Sequence, residues 1–62
     1  MQQTKTFFAG TVEGVDGAIK LLDKRMSDLG RITIHHIENV FIPISPHPGI
    51  MRTVVFTSRS SN

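Results

Sequence analysis

Only one stretch of this chain repeats its apolar residues at helical spacing. Val15, Ala18, Ile19, Leu22, Met26 and Leu29 follow one another at intervals of 3, 1, 3, 4 and 3 positions, which aligns them as one stripe along an α-helix. Asp16, Lys20, Asp23, Lys24 and Asp28 fill the opposite face as ordinary solvated surface. Thr11 is placed to N-cap this helix, and Glu13 and Asp16 lie where the helix dipole favours negative charge. Asp16 and Lys20 form an i,i+4 pair in the favourable order, and Gly30 is a natural C′ stop. Gly14 and Gly17 each cost about 1 kcal/mol against alanine, which suits a helix lying close to a sheet or another subunit. The pattern predicts a helix over about 12–29, and this single helix must serve every other apolar surface in the chain.

The remainder reads as strands and turns. Residues 4–9, Thr-Lys-Thr-Phe-Phe-Ala, are β-branched and aromatic and end at Gly10, predicting a first strand. Phe7 and Phe8 point to opposite faces, so one enters the core and the other covers a subunit contact. A second strand is expected over about 31–42. Its apolar set begins at Ile32 and Ile34 and reappears out of phase at Ile37 and Phe41. A bulge near His35-His36, or a strand reaching from one subunit onto another, accounts for the shift. Pro43, Pro46, Pro48 and Gly49 make residues 43–49 a turn, since proline cannot serve a central strand. A third strand is expected over about 50–57, with Val54 and Phe56 facing away from Val55. Residues 58–62 read as a polar tail. The fold class expected is α+β: a β-α-β-β protomer, one domain over residues 1–62. The helix packs on a three-stranded sheet in which strands 2 and 3 form an antiparallel hairpin.

Length makes the shortage of helix acute. A chain of 62 residues buries only about 60% of the surface it exposes when unfolded. With no cysteine, neither a disulfide nor a cysteine-based zinc site can compensate. One helix shields one sheet face; the other is expected to carry Phe7 or Phe8, Ile37, Phe41 and Val55, and to pack on a symmetry mate. A homo-oligomer follows. No apolar run reaches the roughly 20 residues of a membrane span, and Met1 to Lys5 lacks a signal peptide's apolar stretch, so a cytoplasmic protein without a membrane partner is expected.

The polar residues suggest binding rather than catalysis. No serine stands in a nucleophile-elbow context, and no carboxylate is placed beside a histidine as a catalytic partner, so no enzyme is read here. Gly10 to Gly14 lacks the lysine and glycine spacing of a phosphate loop, and Glu13 would repel a phosphate. His35-His36, with His47 in the turn, has no Cys, Asp or Glu at ligand spacing, so neither a metal nor a cofactor is read. Arg31 and Arg52 flank apolar strands, and arginine's planar fork suits phosphates and carboxylates; Arg59 reads as solubilising charge. The ligand-binding set expected is Arg31, His35, His36, Arg52 and His47. It would hold a small anionic ligand, a nucleotide or nucleotide-derived signal, at subunit interfaces, as a sequestering sponge would. An alternative is a protein-interaction module using the exposed sheet or the stiff Pro46-His47-Pro48-Gly49 loop. A third class, nucleic-acid binding, has less support: the net charge is only +2 and the basic residues are scattered.

Residues 5–20, KTFFAGTVEGVDGAIK, resemble the opening of dodecins, in which a strand ending in Gly-Thr or Gly-Ser leads into a helix with a D-A-I or similar core triplet. That resemblance implies a small cytoplasmic β-α-β-β protein that assembles into a hollow shell and binds flavin between subunits. The tryptophan that stacks on flavin in that family has no counterpart, His35, His36 and Ile37 standing in the middle of the second strand, so no flavin-binding residue is carried over. In size and element order the chain is also similar to tiny β-α-β-β proteins of phages and prophages. Some of these inhibit host defence by binding a host protein or sequestering a signalling nucleotide.

Overall fold

The structure, a computed structural model, describes residues 1–44 and 46–59. Strand β1 spans Gln2–Gly10, helix α1 Gly14–Ser27, strand β2 Ile32–Ile42 and strand β3 Gly49–Ser58. The class is α+β, with one helix on a three-stranded antiparallel sheet in the order β1-β3-β2. The last strand is thus the central one. It runs antiparallel to both neighbours, so β1 and β2 run in the same direction on either side of it, joined through α1.

Pairing extends β1 to Gln2 and Gln3, opposite Thr57 and Phe56, beyond the stretch that propensity alone marks out. Ser58, expected in the tail, closes β3 opposite Ile32. Ser60 to Asn62, the rest of that expected tail, and Ser45 in the turn lie outside the described residues.

Alternation along β3 defines the two faces. Ile50, Arg52, Val54 and Phe56 are buried beneath the helix-bearing face, whereas Met51, Thr53, Val55 and Thr57 are half-buried on the other. Ala18 and Leu22 of α1 pack on Ala9 and Ile50, with Phe7 beside them. Of the two phenylalanines, Phe7 joins the core. Phe8 lies on the far face across Gly49, where a Cβ would run into its ring.

The helix approaches β1 and β3 but not β2. Its 14 residues make a rod about 21 Å long and about 10 Å wide, too little to cover three strands in a molecule 45 Å long. The open apolar surface is therefore on the helix-bearing face itself. Ile34, Ile37 and Phe41 pair with Phe56, Val54 and Ile50 and remain 45%, 39% and 56% exposed. This corrects the expected location of Ile37 and Phe41 on the face away from the helix. That far face is largely polar along β1 and β2, with Thr4, Thr6, Thr33, His36 and Glu38 facing it by register.

Two helix-end expectations also change. The helix starts at Gly14 after Glu13, with no side-chain cap. Thr11 instead ties the chain to the other loop: its N–H and hydroxyl both donate to the Pro48 carbonyl, at 3.0 and 2.8 Å. Gly14 enters the helix at φ 90° and Gly30 leaves the following turn at φ 84°, conformations that side chains other than glycine's disfavour. The helix stops at Ser27 with Asp28 as C-cap, so Gly30 lies one position beyond the C′ site expected for it. Among the described residues no helix is long and apolar enough to cross a membrane.

Candidate functional site

The pairing of β2 with β3 slips between Ile34 and His36, leaving His35 as the additional residue of a β-bulge. In a regular strand two adjacent histidines would face opposite ways. The bulge brings both rings onto the far face. His35 Nε2 shares a 2.7 Å hydrogen bond with Thr57 Oγ1, and His36 Nε2 lies 3.8 Å from Glu38 Oε1. Thr33 is the register partner of Thr57, adding a second hydroxyl on that side. Arg31 immediately precedes the strand, and its carbonyl accepts a 2.9 Å hydrogen bond from the Arg59 N–H. One end of the sheet thus gathers two exposed arginines, two histidines and two threonines. Such a set offers cationic and neutral donors to an anion. Glu38, toward the middle of β2, sets a negative boundary on one side.

Of the residues expected to bind ligand, Arg31, His35 and His36 share this end; Arg52 and His47 do not. Arg52 is on the helix-bearing face and only 6% exposed. Its Nη1 donates to Asp23 Oδ1 at 2.6 Å and to Met26 Sδ at 3.1 Å, and its Nε to Asn39 Oδ1 at 2.8 Å. Those bonds lock α1, β3 and β2 together, and they occupy the guanidinium. Asp23 is 63% exposed, so this is a charge drawn into the fold with its partner still wet. His47 is exposed in the loop between β2 and β3, at the opposite end of strands about 30 Å long. Thr57 and Arg59 are the residues that sequence reasoning did not select. Both are brought to His35 and Arg31 by strand pairing, and only the register could have marked them.

A groove of about 380 Å³ opens on the β1 side of the helix, lined by Gly10, Val12, Gly17, Leu21 and their neighbours. It contains none of the expected ligand residues, and its charged rim mixes Glu13 with Lys20 and Lys24, a poor basis for selecting one charge sign. Among the described residues no three His, Cys, Asp or Glu side chains gather closely enough to hold a metal ion.

Comparison with family models, with curated proteins and with solved structures finds no match to this chain.

Proposed function

We propose that this chain is a non-enzymatic, self-associating cytoplasmic protein that holds a small anionic ligand, a nucleotide or nucleotide-derived signal, at the Arg31–His35–His36 end of the sheet. The observation that carries the reading is the bulge, which turns two consecutive histidines to one side beside Thr57 and next to the Arg31–Arg59 strand ends. A planar, partly apolar base could lie against the imidazoles while a phosphate meets the arginines. Self-association is supported by the open Ile34, Ile37 and Phe41 strip, since a chain of this size buries only about 60% of its unfolded surface within itself. The likeness of residues 5–20 to dodecins fits a ligand held close to a subunit contact.

Native mass spectrometry with a panel of nucleotides, followed by calorimetric titration, tests the reading. Arg31→Ala is expected to weaken binding about tenfold, the loss of one hydrogen bond to a charged group, and His35→Ala by a similar amount. Arg59→Ala tests whether the second arginine shares the phosphate. Absence of any retained nucleotide across the panel removes the ligand proposal.

A further inference from the structure

The two outer strands differ in what guards their backbone. On the β1 side, α1 packs against the strand and Arg25 Nη1 donates to the Phe8 carbonyl at 2.7 Å, while Lys5 adds a charge in mid-strand. On the β2 side, all of the strand's 11 residues except the bulged His35 pair with β3, and among the described residues with no other strand. No lysine, arginine or proline interrupts Ile32–Ile42, and no helix approaches it. Charges, prolines, bulges and covering elements all blunt an edge; β2 has the His35 bulge and Glu38, but beyond the bulge residues 36–42 are a regular, uncovered template for another strand.

We infer that β2 pairs antiparallel with β2 of a second copy, joining two three-stranded sheets into one of six, with the two-fold axis at Asn39. This rests on the self-association reading above and specifies its interface. The alternatives fail on chemistry visible in the strand. An axis at Glu38 sets two carboxylates face to face. An axis at Ile37 runs the second copy across the His35 bulge. An axis at Val40 extends the pairing onto Pro43, which has no N–H to offer. At Asn39 the regular stretch 36–42 pairs with itself. Ile37 then lies opposite Phe41 of the second copy, and the reverse, on the helix-bearing face where both are exposed. Arg52 Nε holds the Asn39 carbonyl oxygen, leaving the NH2 group to donate across the axis. Stacking the helix-bearing faces on each other would cover the exposed Val15 and Ile19 as well, but it would leave the N–H and C=O groups along the β2 edge without strand partners.

The chain has no cysteine, so introduced thiols report the register directly. Asn39→Cys alone, and Ile37→Cys mixed with Phe41→Cys, are treated with a short bismaleimide, with Thr6→Cys on β1 as the opposite-edge control. Cross-linking is expected at 39–39 and 37–41, and not at 6–6. Amide exchange on the unaltered chain gives a readout that survives a misfolded variant: residues 36–42 should gain protection with increasing concentration while β1 does not. Ile37→Lys should lose both signals. Predominant cross-links at 37–37 or 6–6, or a dimer that cross-links at none of these sites, overturn this interface and leave self-association standing. A chain that stays monomeric in concentrated solution overturns both, as does one whose β2 edge takes up a foreign strand while remaining a single copy.

Discussion

Phe8 and Ile37 lie on opposite edge strands, each about two-fifths exposed, yet their surroundings have little in common. Phe8 lies over Gly49, its carbonyl is bonded by Arg25, and its neighbours Phe7 and Ala9 are held beneath Ala18 and Leu22. Ile37 has Val54 beside it and no helix above it. One helix has been assigned to the β1–β3 half, and the β2 half keeps an apolar surface with no internal partner. Stability and association are thereby divided: side chains under the helix hold the protomer together, while those along β2 are available to another surface.

Several substitutions probe that division. Leu22→Ala, at a fully buried position under the helix, is expected to cost about 2–5 kcal/mol in urea unfolding, against less than about 1 kcal/mol for half-exposed Ile34→Ala. Equal costs would break the comparison. Arg52→Ala removes three hydrogen bonds from a buried guanidinium and should cost about 2–3 kcal/mol, read from the same unfolding curves; a loss below 1 kcal/mol would mean that Arg52 does not clamp the two halves. Gly49→Ala should cost about 1–3 kcal/mol by forcing the Phe8 ring aside. That cost should fall in a Phe8→Leu background if the ring is the cause. Arg25→Ala should lower stability by about 0.5–1 kcal/mol and speed amide exchange along β1, sharpening the contrast between edges. Ile37→Lys should leave the protomer's unfolding midpoint nearly unchanged and abolish its association, the smallest effect on stability and the most selective.

Much of the architecture could be read from residue spacing. The apolar stripe marked α1, the crowded prolines marked the β2–β3 turn, and the phase change between Ile34 and Ile37 marked the bulge. Spacing did not show which side of β2 would be left open. Alternation separates two faces, but only strand order and the breadth of one helix determine which strand goes uncovered. Thr11 had the chemistry of a cap but donates instead to the Pro48 carbonyl, 37 residues away. Arg52 resembled Arg31 in sequence, each at the margin of an apolar strand, until Asp23, Met26 and Asn39 converged on it. Long-range partners of this kind leave no local signature.

The additional residue at His35 has a consequence beyond the imidazoles. Ile32 and Ile34 occupy even positions and Ile37 and Phe41 odd ones, yet all four turn toward the helix-bearing side because one residue is counted out of the ladder between them. Were His35 paired in the ladder instead, everything downstream would rotate by half a turn about the strand. The aliphatic strip would be cut in two, with Glu38 brought onto the helix-bearing side. One unpaired residue thus determines which side of the molecule is greasy, making a single backbone irregularity the hinge of its surface chemistry.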